Sequence, residues 1–213
     1  MLNSLLSSAN QILTEDQKSK ELNQYGITSL YHMTHIDNLK SILENGLLSH
    51  NQAHQLDTLT DISDQQVNAR RSMNDPIYGR SLHDYVPCYF NARNPMSYKR
   101  RELANQLVIL KIKPTLLLTE GGLFTDGNAA SNMTCFFNKI TDLSQLSWEC
   151  LRAYYWNDYC DGKRLRCAEM LIPERISIQD ISGISVKNIT NLKYVRSLLT
   201  GSEGIAQEPR LFF

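Results

Sequence analysis

Residues 30–52 read LYHMTHIDNLKSILENGLLSHNQ, and their periodicity changes once along the way. Leu30 to His35 predicts a strand that leads straight into a helix. Ile36, Leu39, Ile42 and Leu43 fall at helical spacing, so the helix is expected over about Asp37 to Glu44. Asp37 suits the positive end of that helix, and Asn45-Gly46 is expected to close it with left-handed capping. Outward from this unit the chain alternates short strands and helices. Asp84 to Phe90 reads as a strand, with Pro87 predicting an edge or a bulge. Asn94-Pro95 is a cap followed by proline at the first helical position, and the helix is expected through Tyr98 toward Ala104. Leu107 to Ile112 is a β-rich apolar run closed by Pro114. Asp142 to Trp156 is helical in pattern, with Leu143, Leu146, Cys150, Leu151 and Tyr154 on one side. Cys167 to Ile172 and Ile181 to Val186 complete the expected strands. A last helix over about Asn191 to Leu199 is followed by Gly201. The order implies an α+β fold with antiparallel sheet.

The chain has 213 residues, enough to bury a core without metal or disulfide staples. A hydrophobic content of 42% and a charged content of 21% exclude intrinsic disorder and fibrous repeats. No apolar run is long enough for a membrane-spanning helix. Lys and Arg total 22 and so do Asp and Glu, so no global basic field steers nucleic acid, although local patches still bind phosphates. Five cysteines with no CxxC pair fit reduced thiols. The start, MLNSLLSSANQILTEDQK, has no basic residue before Lys18 and no unbroken apolar stretch, so a cytoplasmic protein with a short N-terminal helix is expected. Thr14 with Gln17 has the spacing of a capping box. Two connections, Leu48 to Gln66 and Thr119 to Lys139, are long for a domain of this size. Loops of that length are tolerated insertions or gates over a ligand site.

Glu169 is the most informative single residue. It lies in RCAEMLIP, where alternation puts Cys167, Glu169 and Leu171 on one face and Ala168, Met170 and Ile172 on the other. Neither face is solvated, so the carboxylate must be paired or functional. A structural ion pair with Arg166 or another arginine is the plain alternative. His32 shares a strand face with Thr34, and alone it reads as a satisfied core histidine before a functional one. Histidines 32, 35, 50 and 54 invite a zinc reading, but 32 and 35 point to opposite faces of a strand and no cysteine stands at partner spacing. No metal is expected. Arg70 and Arg71, then Lys99 to Arg101, then Lys163, Arg164 and Arg166 make three basic spots, with Tyr85, Tyr89, Phe90 and Tyr98 nearby. Cations beside aromatic platforms suit single-stranded nucleic acid. No GxGxxG, P-loop, GxSxG, HExxH or kinase signature occurs.

Taken together, LYHMTHIDNLKSILENGLLSHNQ, VNARR, HDYVPCYFNARNPMSY, FTDGN, LSWECLRAYYW and CAEMLIP resemble the DarT family of bacterial DNA ADP-ribosyltransferase toxins, in its thymidine-modifying branch. The likeness runs from about Ile27 to the C-terminus, and QEPRLFF at 207–213 is similar to the family's aromatic-ended tail. The resemblance implies the ADP-ribosyltransferase fold, a split pair of mostly antiparallel sheets flanked by helices, over residues 26–213. Residues 1–25 stand outside it as a helical extension. It implies transfer of ADP-ribose from NAD to a thymidine base in single-stranded DNA, in a preferred sequence, with release of nicotinamide. It also implies a macrodomain antitoxin, and we expect a monomer with no membrane partner.

The same likeness implies site residues. His32, Met33 and Thr34 match the NAD-binding start, with Ser41 and Leu48 near further NAD contacts and Tyr89 at the nicotinamide wall. The polar loop after Leu48 matches the NAD-covering element. Arg71 and Glu169 match the catalytic pair. The loop from Asn128 to Glu169 matches the substrate-recognising turn-turn loop, and Met96, Asn128, Lys163 and Arg166 are expected at the DNA. Close relatives can carry histidine where this chain has Asn128, which bears on the target base or sequence. Two other readings stay open: an NAD-using transferase acting on RNA, like an RNA 2′-phosphotransferase, and a catalytically silent nucleic-acid-binding domain.

Overall fold

The computed structural model describes residues 15–57, 59–199 and 204–213. Thr14, Gly201 and residues 1–14 of the expected extension lie outside them. In chain order the elements are α1 (Glu15–Gln24), β1 (Leu30–His35), α2 (Leu39–Asn45), β2 (Leu47–Leu48), α3 (His50–Ala53), α4 (Gln65–Arg70), β3 (Tyr85–Tyr89), α5 (Pro95–Lys99) and β4 (Leu107–Ile112). There follow β5 (Leu123–Thr125), β6 (Phe136–Phe137), α6 (Trp148–Arg152), α7 (Gly162–Leu165), β7 (Glu169–Pro173), β8 (Arg175–Ile176), β9 (Ile181–Val186), α8 (Ile189–Leu198) and β10 (Ile205–Gln207).

Eight strands form one sheet in the order β10-β9-β4-β1-β3-β7-β5-β6, and β2 pairs with β8 apart from it. Every pairing is antiparallel except β10 with β9. The sheet is split in the middle. β1 pairs with β4 over six residues, but meets β3 in register only at Tyr31 opposite Tyr89. This is the α+β, split-sheet architecture of the ADP-ribosyltransferases.

The split explains Pro87, which sits not at a sheet edge but in β3, between β1 and β7. A residue in a strand points its N–H and C=O the same way. The Pro87 carbonyl accepts a hydrogen bond from His32 Nδ1 at 2.8 Å, on the open side facing β1. The N–H that proline lacks would point into that same gap, where no strand partner needs it.

Both sheet faces are buried. Val108, Leu110 and Ile112 of β4 join Leu30, Leu39, Ile172 and Val195 in the main core, while Leu107 and Ile109 face Met33, Ala104 and Phe212. Burial on both sides is why β4 reads as an unbroken apolar run rather than an alternation. α1 adds Leu22 to the main core at 2% exposure. Tyr25 stacks on Trp148 at 5.1 Å, and Arg152 donates to the Tyr25 carbonyl at 2.7 Å. The last residues of the expected extension therefore pack on the domain.

Several expectations change in detail. Asp142 to Trp156 is not one helix. A 3₁₀ segment (Ile140–Gln145) stops at Leu146, whose φ of −77° and ψ of 143° are extended, and α6 starts afresh at Trp148. Trp148 Nε1 donates to the Leu143 carbonyl at 2.7 Å and fixes that break. α5 ends at Lys99, and a 3₁₀ stretch (Arg101–Gln106) carries the chain to β4. Gly46 has φ 79° and ψ 176°, so it extends instead of capping in the left-handed helical well. A Cβ there would lie 2.6 Å from the Ile176 carbonyl oxygen, because the chain passes directly into the β2–β8 pairing.

Candidate active site

The split in the sheet opens onto a cavity of about 720 Å³, a size suited to a cofactor-like ligand. Among its lining residues are His32, Met33, Thr34, Ser41, Leu48, Arg71, Tyr89, Met96, Asn128 and Lys163. One site thus gathers residues from β1, α2, β2, β3, α5 and α7, from the end of α4 and from the loop after β5.

Glu169 is at the start of β7, directly opposite Tyr89 of β3, and is 1% exposed. Arg71 follows α4, whose first turn is capped by Asp64 accepting from the Val67 N–H at 3.0 Å. Arg71 Nη1 reaches Oε1 of Glu169 at 3.0 Å and Oε2 at 3.1 Å. The Ala129 N–H donates to Oε1 at 2.9 Å. Arg71 forms the cavity wall here and the carboxylate lies behind it. The partner of Glu169 is therefore Arg71 and not Arg166. Arg71 Nη2 is buried and has no acceptor among the described residues. A buried guanidinium N–H without a partner is costly, and it fits an oxygen of a bound ligand.

The loop after β5 supports this pair. Thr125 Oγ1 accepts from the Glu169 N–H at 3.3 Å and lies 2.7 Å from the Gly127 carbonyl. Gly127 passes so near Arg164 that an added Cβ would stand 2.6 Å from its Nη1. Arg164 in turn pairs with Asp126 at 2.8 Å and with Asp161. The Cys135 N–H donates to Asp126 at 2.9 Å, and Thr134 Oγ1 donates to the Asn128 carbonyl at 2.7 Å. The loop that holds Asn128 in the wall is thus tied through Arg164 to α7, which leads into β7 and Glu169.

His32 donates through Nδ1 to Pro87, leaving Nε2 as an acceptor on the cavity side. Burial holds its pKa below the ordinary histidine value, with the Pro87 bond opposing, so the ring is neutral at neutral pH. Tyr89 has its hydroxyl 3.4 Å from Met96 Sδ, and burial, helped by Glu169, pushes its phenol well above its usual range. Burial and then Glu169 also push the Cys167 thiol up to about 12, which makes it inert.

The polar connection after Leu48 is less irregular than its composition suggests. β2 and α3 occupy its beginning. Asn38 then fixes Thr60, giving a hydrogen bond to its carbonyl at 2.9 Å and taking one from its N–H at 2.8 Å. From α5, Arg100 donates to the carbonyls of Ile62 and Ser63, each at 2.6 Å, and Lys99 pairs with Asp64. Two members of that basic spot therefore hold a connection that lines the cavity. The connection 119–139 likewise contains β5 and β6.

Arg166 is a correction. It was expected at the DNA, but it is 4% exposed. Its Nε donates to the Arg93 carbonyl at 2.7 Å, and its Nη1 to those of Cys150 and Ala153, both at 2.8 Å. The guanidinium braces three chain segments and is not on the cavity wall. His35 also faces away from the cavity, accepting from the Asp37 N–H at 3.2 Å. Sequence reasoning missed Ala129, whose backbone N–H leaves no signature in a side chain. It also missed a stack of imidazoles on the wall, His50 against His54 at 3.9 Å and against His83 at 4.2 Å. Among the described residues no group of three or more His, Cys, Asp or Glu has metal-binding geometry.

A model of the family described as "ssDNA thymidine ADP-ribosyltransferase, DarT" matches residues 31–211. A DNA ADP-ribosyl transferase of Thermus sp. (strain 2.9) is 34% identical over 155 residues, covering 68% of this chain and 74% of that protein. A DNA ADP-ribosyl transferase–DNA ADP-ribosyl glycohydrolase fusion protein of Thermosipho africanus is 32% identical over 202 residues, which are 86% of this chain and 49% of the fusion. The structure of Thermus sp. 2.9 DarT in complex with ADP-ribosylated ssDNA superposes with a TM-score of 0.80 at 29% identity, covering 88% of this chain and 97% of that one. The same Thermus protein in complex with NAD+ gives 0.73. With almost the whole described domain inside the match, this chain belongs to the DarT family.

Proposed function

We propose that this protein transfers ADP-ribose from NAD to a thymidine base of single-stranded DNA. The observation that carries the reading is the Arg71–Glu169 pair, with Arg71 in the cavity wall, the carboxylate behind it and one guanidinium nitrogen left for a ligand. The Thermus relative, solved with NAD+ and with ADP-ribosylated ssDNA, supports both the donor and the acceptor.

The reaction breaks the bond between the ribose and nicotinamide and forms one from the same ribose carbon to a base nitrogen. That nitrogen gives its proton to solvent water, and nicotinamide leaves as a neutral molecule with the electron pair of the broken bond. Positive charge grows on the ribose as the first bond opens. The Glu169 carboxylate is fixed by the Ala129 N–H and the residue's backbone N–H by Thr125 Oγ1, so the carboxylate stabilises that charge with little reorganisation. To reach a ribose hydroxyl, one of its oxygens must be released by Arg71 Nη1, which now holds both. An incoming oxygen on the free Nη2 draws the guanidinium toward the ligand and effects that release. A guanidinium does not act as a base at neutral pH, so Arg71 serves as a cation that stabilises the base anion formed when the proton leaves. Asn128, Met96 and Lys163 are assigned to the acceptor side, and His32, Met33, Thr34, Ser41, Leu48 and Tyr89 to the donor side. Asn128 hydrogen-bonds but does not titrate, so it helps select the base and does not shuttle its proton.

A toxin role in the cytoplasm, opposed by a macrodomain glycohydrolase, completes the proposal, and the Thermosipho fusion of the two activities supports it. The test is incubation with NAD and four acceptors, read by intact mass: single-stranded DNA, its duplex, the matching RNA, and the protein itself. An ADP-ribose adduct on single-stranded DNA alone, mapped to thymidine by fragmentation, is the expected result. An adduct on RNA or protein alone refutes it.

A further inference from the structure

Beside the cavity, six side chains form an unbroken run of ring and cation contacts. Tyr155 meets Tyr154 edge-on at 4.6 Å. The Arg93 guanidinium lies 5.8 Å from the Tyr154 ring centre and 4.3 Å from that of Phe213. Phe213 meets Tyr98 at 5.3 Å, and Arg101 covers Tyr98 at 4.4 Å. Three of the rings are open to solvent, Tyr154 at 74%, Tyr155 at 63% and Tyr98 at 47%. Among the described residues Arg93 pairs with no carboxylate, and Arg101 meets only the exposed Glu102 at 3.6 Å.

The run is fixed from behind. Trp156 packs edge-on against both Tyr98 and Phe213, and Lys187 Nζ donates to the Phe213 carbonyl at 2.7 Å. It is also continuous with the mouth of the cavity. Tyr98 belongs to α5, whose Met96 and Lys99 are on the cavity wall. Trp156 abuts α7, whose Lys163 is on the same wall; a Cβ on Gly162 would overlap the Trp156 carbonyl oxygen at 1.7 Å.

We infer that this run is a second binding surface, which holds nucleotides of a single-stranded DNA that flank the one in the cavity. The inference rests on the transferase reading of the cavity. Open tyrosine rings offer faces for unstacked bases, and the interleaved Arg93 and Arg101 offer charge to the phosphates between them. Duplex DNA keeps its base faces covered and gains nothing from the rings. The chain carries no net charge, so a local track of this kind is what gives it a hold on a long polyanion.

The test compares an oligonucleotide of about sixteen nucleotides with one of about five, both containing the target base. Affinity is read by anisotropy of the labelled strand, and transfer by KM and kcat. The wild type binds the longer strand more tightly. Tyr154→Ala with Tyr155→Ala raises its Kd and KM about tenfold, as loss of one or two stacked bases requires. It leaves the short strand, kcat and the KM for NAD unchanged. Arg93→Gln flattens the salt dependence of binding to the longer strand, and Tyr154→Phe with Tyr155→Phe restores the wild-type values. Equal loss on both lengths, or no loss on either, overturns the inference. So does tight binding of the matching RNA with none of the DNA. If the wild type transfers to no DNA yet binds the longer strand through these tyrosines, the transferase reading falls and this surface stands.

Discussion

Arg71 and Arg166 are both largely buried arginines within reach of the same strand, and their surroundings separate them. Arg166 gives its N–H groups to three backbone carbonyls and meets no carboxylate among the described residues. Burial lowers its pKa, but a guanidinium has ample margin and stays charged. Arg71 has one carboxylate, and one nitrogen without an acceptor among the described residues. One arginine is complete within the fold; the other is complete only with something else in the cavity. Their sequence contexts, NARR and RLRCAE, give no hint of this difference. The identity of the partners, not burial or charge, separates the arginine we propose as functional from the structural one.

The comparison is broken most directly at Glu169. Glu169→Gln keeps the shape and removes the charge, and kcat for transfer should fall by about 10³, the scale of losing a preorganised electrostatic group. Arg71→Lys should cost about 10² in kcat, because an ammonium reaches Glu169 but not Glu169 and the ligand together. Assays at saturating NAD separate these losses from weaker binding. Arg166→Ala should behave in the opposite way. It leaves buried carbonyls unsatisfied, so stability should drop by about 3 kcal/mol, measured by denaturant unfolding. At low temperature the folded fraction should transfer within a few-fold of the wild type.

The smallest effect sharpens the contrast through pH. His50 is held down to about 4 by burial, then by His54 and His83; Asp61 raises it and Arg71 lowers it further. The folded state therefore favours the neutral ring. The packing of α3 is complete above the ordinary value of 6.5 and is lost as pH falls from there toward 4. The KM for NAD should rise several-fold over that window. In His50→Phe, which cannot titrate, the rise should be smaller.

Much of the fold was legible. β1, β4 and β9 have the boundaries read from the sequence: β4 is a nearly unbroken apolar run, and β1 and β9 are six-residue segments that place apolar residues between polar ones. β5 and β6 escaped, since three and two residues carry no period. β10 is equally short and pairs in parallel with β9, a partner that local pattern cannot announce. In the site, Glu169 was conspicuous because a strand with two apolar faces has no place for a free carboxylate. Arg71 was legible only by resemblance. Its pairing with Glu169 spans a separation of 98 residues, and the Ala129 N–H that completes the carboxylate's shell belongs to a backbone. Arg166 misled for the same reason: proximity in sequence to Glu169 does not show which way a guanidinium turns.

The most direct test of the account is an intact-mass time course on a thymidine-containing single strand with NAD, run in parallel for the wild type and Glu169→Gln, with the melting temperature of each. The account predicts an ADP-ribose adduct from the wild type and essentially none from the variant, whose melting temperature stays within a few degrees. An adduct formed equally fast by Glu169→Gln would contradict it.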